Sequence, residues 1–184
     1  MPPSKSVSIL TEHLDKGDIL DLGCGEGRNA LFLAEKGFKV LGVDKSDKSI
    51  SIMLDRAQQI RKKTGKELQL SGLNIDILTY YVNENFDAVI CMNILHFFDK
   101  KDIIKVVKNI KNSTKINGFN VIDVFTEDNP YKNLPYLFKK EELKELYKDW
   151  KILKYEEYIS EPEKHGDSDW HVHGKASLIA RKIK

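Results

Sequence analysis

Ile19-Leu20-Asp21-Leu22-Gly23-Cys24-Gly25-Glu26-Gly27-Arg28-Asn29 is the stretch on which the reading of this chain turns. A short apolar run ends in glycines at alternate positions, and a helical pattern begins at once with Ala30, Leu31, Leu33 and Ala34. A strand that turns sharply into a helix lets backbone approach a ligand closely, because glycine reaches positive φ and has no Cβ in the way. The helix N-terminus beyond the turn offers unpaired N–H groups and a partial positive charge, which suit a carboxylate or a phosphate.

Outward from that turn, the periodicities alternate between strand and helix. A weak amphipathic helix spans 4–15, with Val7, Ile9, Leu10 and Leu14 as its apolar positions. Strands are predicted at 19–22, 38–43, 68–75, 86–92 and 119–125, and helices at 27–36, 46–64, 99–112 and 139–147. Gly37 suits the end of the first of these helices and Ser46 the start of the next. Phe86-Asp87-Ala88-Val89-Ile90-Cys91-Met92 is almost unbroken in apolar character, as a parallel strand covered on both faces should be. Two further strands, 150–159 and 171–182, come late. The pattern predicts an α/β, doubly wound Rossmann-like sandwich around a mostly parallel sheet, in one domain over 1–184. Ligands of such sheets lie beyond the carboxyl ends of the strands. Asp44, Asp76, Asn93 and the glycine turn all fall there.

The composition narrows the partners. The chain has 184 residues, with 30 basic and 28 acidic side chains well mixed and a formal charge of +2. That balance leaves no electrostatic footprint for nucleic acid or an anionic membrane. No apolar stretch has the length of a signal-peptide core or a membrane span. Cys24 and Cys91 each end a buried strand, which reads as two reduced thiols in a cytoplasmic protein and not as a disulfide framework.

Two ligands compete for the turn. A dinucleotide site requires G-x-G-x-x-G/A and an acid about 20 residues on. Asp44 supplies the acid, but the glycines read G-x-G-x-G and Arg28 stands where a small residue is needed. Asp21 is the second discriminator. A carboxylate inside a strand must find hydrogen bonds, and the glycine-turn N–H groups are its expected donors. It would also lie near the amino end of an amino-acid-like ligand.

Taken together, D-x-G-C-G-E-G followed by Asp44 and Asp76 resembles the class I S-adenosylmethionine-dependent methyltransferases. Closer strings, Gly25-x-Gly27-Arg28-Asn29 with Leu31-x-Leu33-Ala34, Asp44-Lys45, and Phe138-Lys139-x-x-Glu142-Leu143, are similar to the small bacterial tellurite-resistance-type methyltransferases. The resemblance implies S-adenosyl-L-methionine as cofactor and a seven-stranded sheet closed by an antiparallel C-terminal hairpin strand. It implies a cofactor site built from Asp21, Gly23, Cys24, Gly25, Gly27, Arg28, Asn29, Asp44, Lys45, Asp76, Ile77, Met92 and Asn93. Within it, Asp44 would take the ribose hydroxyls, Asp76 and Ile77 the adenine, Met92 and Asn93 the methionine end. The helix N-terminus would then face the amino-acid carboxylate of the cofactor. The acceptor implied is a small soft nucleophile, a thiol or a selenium or tellurium oxyanion, handled by a monomer or homodimer. Only about 17 residues precede the first strand, where relatives often carry a longer segment that helps cover the site.

The acceptor wall is read from the histidines. His171 and His173 are two apart on a predicted strand and so share a face, and either is a candidate for acceptor binding or proton transfer. His96-Phe97-Phe98, just past the fourth strand, is the other candidate wall of the acceptor pocket, with His96 its candidate catalytic residue. With His165 the pair has H-x5-H-x-H spacing, but structural metal sites take four ligands and nothing supplies a fourth, so no metal is expected. Asp128-Asn129-Pro130-Tyr131 follows the fifth strand with a single proline and reads as a turn, not as the motif of amino-group methyltransferases. A cofactor-binding protein without transfer activity and an NAD-type oxidoreductase remain as the alternatives.

Overall fold

The apolar run Phe86–Met92 lies at the centre of a seven-stranded sheet in the computed structural model, which describes residues 2–81, 85–162 and 170–184. In chain order the elements are α1 (Lys5–Leu10), β1 (Asp18–Leu22), α2 (Arg28–Glu35), β2 (Lys39–Asp44), α3 (Asp47–Thr64), β3 (Leu70–Asn74) and β4 (Phe86–Met92). A single 3-10 turn, Leu95–Phe97, then leads to α4 (Lys100–Asn112), β5 (Thr114–Phe125), α5 (Glu142–Glu145), β6 (Lys151–Ile159) and β7 (Gly174–Arg181). The strand order is β3-β2-β1-β4-β5-β7-β6. β7 alone runs against its neighbours, pairing antiparallel with both β5 and β6. The chain reverses its direction of travel across the sheet between β1 and β4, which puts the topological switch point beside the glycine turn.

β4 is apolar throughout because both of its faces are covered. Ala88, Ile90 and Met92 pack with α1, α2 and α3, whereas Val89 and Cys91 pack with α4 and the α5 region. The helices dock through the stripes their sequences carry. Ile103, Val106, Val107 and Ile110 are the buried face of α4, at the 3.6-residue period. Ser46 Oγ accepts from the Ser49 N–H and starts α3, and Asp99 does the same for α4 through Asp102.

Four elements differ most from the sequence expectation. α1 ends at Leu10, where the Thr11 hydroxyl donates to the Ser8 carbonyl and the chain turns off. β5 begins five residues early, at Thr114. The expected Asn117-Gly118 turn is there as a bulge inside the strand, with Asn117 at φ 68°. α5 is one turn long, entered through Glu141 at φ 59°. β7 starts at Gly174 and not at His171. A Cβ at Gly174 would lie 2.5 Å from the Asn129 nitrogen, so this crossing of two backbones requires glycine.

Asp21 sits in the middle of this packing, 1% exposed. The N–H groups of the glycine turn are spent elsewhere: Gly23 and Cys24 donate to the Val43 carbonyl, Gly25 to Asp44 and Gly27 to the Cys24 carbonyl. Asp21 therefore does not bond to the turn, contrary to expectation. The Ala30 N–H in the first turn of α2 and the Arg28 charge both favour its ionised form. Its Oδ2 has no partner among the described residues. Burial, with the charge of Asp44 adding to it against the pull of Arg28, pushes the carboxyl from its ordinary 3.8 up to about 7.

Two predictions follow from this packing. Ile90→Ala opens a cavity between β4 and α2 and should cost about 2–5 kcal/mol, read as a lower urea midpoint. Asp21 holds a proton in the fold over an interval in which the unfolded chain has lost it. Its contribution to stability is therefore complete below pH 3.8 and is lost as pH rises through about 7. Asp21→Asn should remove that decline, so that urea midpoints measured from about pH 4 to about pH 7.5 fall less steeply than in the parent protein.

Candidate active site

The acid at the end of β2 organises the first half of the site. Asp44 Oδ2 accepts from the Gly25 N–H at 2.9 Å, and Oδ1 accepts from the Ser46 N–H at 2.9 Å. One carboxylate thus ties the glycine turn to the start of α3. The turn needs this support because Gly23, Gly25 and Gly27 all have positive φ, from 53° to 80°. At Gly27, which caps α2, a Cβ would also collide with Met53. The cavity this leaves, about 310 Å³, is lined by Gly23, Asp44, Lys45, Asp76, Ile77, Ile94, Phe97 and Phe98. Asp76 Oδ1 accepts from the Leu78 N–H at 2.9 Å, which fixes the carboxylate at the cavity rim.

These features match the polar and apolar parts of an adenosyl group, with strand-end acids placed for hydroxyls and an amine and Ile77, Phe97 and Phe98 placed for a flat ring. Two buried oxygens, Asp21 Oδ2 in β1 and Asn93 Oδ1 just past β4, have no partner among the described residues and suit an ammonium group.

A second cavity, about 510 Å³, opens at the same sheet edge beyond the ends of β4 and β5 and the start of β7. Phe97 lines both cavities. Arg28, Lys5 and Lys175 bring cationic charge to its wall, against the one carboxylate of Asp123. Asp123 is buried at the end of β5, where it accepts from the Ser177 hydroxyl at 2.6 Å and from that of Ser6 at 3.1 Å. Burial raises its carboxyl above the ordinary range, while those two hydroxyls pull it down.

Three rings form the floor. Phe125 is stacked between His96 (centroids 4.0 Å apart, 6° between planes) and His173 (4.3 Å, 10°). The two imidazoles take opposite tautomers. Nδ1 of His96 accepts from the Phe125 N–H at 3.3 Å, so a neutral ring carries its hydrogen on Nε2. Nδ1 of His173 faces Asn129 Oδ1 at 3.4 Å, an oxygen already fixed as acceptor by the Tyr131 N–H, so this nitrogen is the donor. Burial pushes His96 down from 6.5 to about 4, with His173 and Lys175 adding to the effect.

The expected residues divide between the two cavities. Gly23, Asp44, Lys45, Asp76 and Ile77 line the first, and Asn93, His96, His171 and His173 the second. His171 and His173 precede β7 and do not lie within it, yet their rings are 4.9 Å apart in one cavity. Gly25, Gly27, Cys24 and Met92 shape the turn and its support, with Cys24 and Met92 buried. Arg28 donates to the Ser4 hydroxyl and lines the second cavity, and Asn29 Oδ1 accepts from the Ser4 N–H. His165 lies outside the described residues, and among those described no three metal-ligating side chains gather. Cys24 and Cys91 are free and lie in separate core clusters.

Sequence reasoning passed over Asp123, Phe125 and Lys175, and read Asn129 only as a turn residue. The 128–131 turn is present, with Asn129 wholly buried beside His173. The signal that could have drawn attention to it is a polar residue followed by proline at the end of a central strand.

Comparison with known proteins agrees with this geometry. A family model described as "Tellurite resistance protein TehB" matches residues 4–173. The probable S-adenosyl-L-methionine-dependent methyltransferase TehB of Haemophilus influenzae is 32% identical over 169 residues, which cover 89% of this chain and 57% of that protein. The crystal structure of TehB from Haemophilus influenzae superposes with a TM-score of 0.83 at 29% identity, over 96% of this chain and 61% of the other. A structure of a SAM-dependent methyltransferase from Methanosarcina mazei, 17% identical, shares the fold with a TM-score of 0.75 over 95% and 97% of the two chains. The chain spans less than two thirds of the length of the TehB proteins it matches. A match over nearly the whole chain, on a fold whose strand-end acids and glycine turn meet at one edge, makes this chain a member of the TehB tellurite-resistance family.

Proposed function

We propose that the protein is a methyltransferase that uses S-adenosyl-L-methionine to methylate a small, soft nucleophile, a selenium or tellurium oxyanion or a thiol. The observation that carries the reading is the junction at Phe97, where a cavity suited to an adenosyl group meets one walled by Arg28, Lys175 and histidines. The sulfonium of the bound cofactor supplies an activated methyl group and leaves as a neutral thioether. Asp44, Lys45, Asp76 and Ile77 hold the nucleoside end, and Asp21 and Asn93 hold the ammonium end. Arg28 and Lys175 attract and orient an anionic acceptor so that its lone pair faces the methyl carbon. Phe97 and Phe125 exclude water from the junction. In-line displacement from a good leaving group rewards alignment and dryness above acid–base catalysis. An oxyanion acceptor needs no general base. A thiol needs one, and His171 or His173 is the residue placed to take its proton.

No helix among the described residues is long and apolar enough to cross a membrane, and we place the protein in the cytoplasm with a small-molecule partner.

The test is methyl transfer from labelled cofactor to a panel of selenite, tellurite and simple thiols. Turnover of at least one member is expected, with oxyanion turnover falling as ionic strength rises because Arg28 and Lys175 attract the anion through solvent. No turnover across the panel, with S-adenosylhomocysteine still bound, would favour a binding role.

A further inference from the structure

His96 is the imidazole whose part in the site is still open. Its side chain is 1% exposed and is held on three sides. Phe125 stacks on one face, Phe97 leans on the ring with centroids 4.5 Å apart, and the Phe125 N–H occupies Nδ1. The Tyr136 N–H donates to the His96 carbonyl at 3.3 Å and holds its backbone too. Nε2 is buried and has no partner among the described residues, and His96 is one of the residues that line the second cavity.

A buried donor without an acceptor is costly, and proteins keep one where something else supplies the acceptor. The charged and titratable groups that share the cavity are Lys5 from α1, Arg28 from α2, Asp123 from β5, Tyr158 from β6, His171 and His173 ahead of β7, and Lys175 from β7. The one carboxylate among them is engaged by Ser6 and Ser177. The cations around the ring oppose a second positive charge on it.

We infer that His96 is a fixed, neutral hydrogen-bond donor whose Nε2–H holds an oxygen atom of the methyl acceptor, and that it takes no part in proton transfer. The inference rests on the methyltransferase reading and adds a selection rule to it. An acceptor that presents an oxygen lone pair beside its nucleophilic atom satisfies the buried donor, and a simple alkanethiol leaves it unpaired. Nδ1 cannot serve as a base without giving up the Phe125 N–H. A neutral ring does not release its Nε2 proton at physiological pH. Burial and the neighbouring cations keep the ring neutral down to about pH 4, which agrees with this role.

The experiment compares the parent protein with His96→Phe, which keeps an aromatic ring in the stack and loses the donor, and His96→Gln, which returns an amide N–H near the Nε2 position. Selenite and an alkanethiol serve as acceptors. Selenite binding to the protein–S-adenosylhomocysteine complex is read separately by calorimetry. His96→Phe should lose about 10- to 100-fold in kcat/KM with selenite, mostly in KM. Its loss with the alkanethiol should be much smaller, and His96→Gln should recover part of the selenite activity. S-adenosylhomocysteine should bind both variants as it binds the parent, and the pH profile of His96→Phe should keep the parent's shape between about pH 5.5 and about pH 8. Equal losses with both acceptors, a limb missing from the variant's pH profile, or no selenite binding by the parent complex would each overturn the inference. If the parent binds selenite but transfers no methyl group, the methyltransferase reading fails, and the weaker binding by His96→Phe still reports on the donor.

Discussion

The Asp44 carboxylate is the tie on which the rest of the site depends. It accepts one N–H from the glycine turn and one from the residue that caps α3. Three left-handed residues in five are a conformation that the chain would leave if it were untethered. The strand β2 fixes Asp44, Asp44 fixes the turn, and the turn sets where α2 begins. Asp21, buried inside β1, faces the influence of the Ala30 N–H and the Arg28 charge at the start of α2. Both acids serve the fold before they serve any ligand. That explains how a strand-end carboxylate can be required for structure and still offer its remaining lone pairs to a cofactor.

The sheet order turns these local devices into a reaction site. Because β4 and β5 lie on one side of the switch point and β1 and β2 on the other, the glycine turn and the histidine cavity open along the same edge. The 3-10 turn after β4 carries Phe97 into both cavities and His96 into one. The antiparallel β7 matters for the same reason. Running against β5, it brings its beginning to the carboxyl edge, so that Lys175 pairs with Phe125 and His173 reaches the ring stack. A parallel strand in that place would present its far end there.

The residues that meet at the first cavity were legible because their information is local. Glycine spacing, an acid one strand later and an acid after the next strand can be read without knowing which strands pair. The unbroken apolar run at Phe86–Met92 located the centre of the sheet in the same way. The acceptor side was legible only as a set of suspicious histidines. Asp123 is buried by Ser6 and Ser177, which are distant from it in sequence, and Phe125 becomes the middle of a stack only when β7 lies beside β5. Asn129 looked like an ordinary turn residue, which it is, and its contact with His173 follows from the glycine crossing at Gly174. Asp21 was placed correctly in the core but assigned the wrong donors. The backbone accounting that sends the turn's N–H groups to Val43 and Asp44 depends on the β1–β2 register.

The most direct test of the account is a calorimetric titration of S-adenosylhomocysteine into the protein and into Asp44→Ala, with NAD titrated in parallel. The account predicts that S-adenosylhomocysteine binds the parent and binds Asp44→Ala more weakly by about 1–3 kcal/mol, since the variant loses the acceptor for two hydroxyls and the tie on the turn. NAD should show no binding. Binding of NAD without binding of S-adenosylhomocysteine, or equal affinity of parent and variant for S-adenosylhomocysteine, would contradict it.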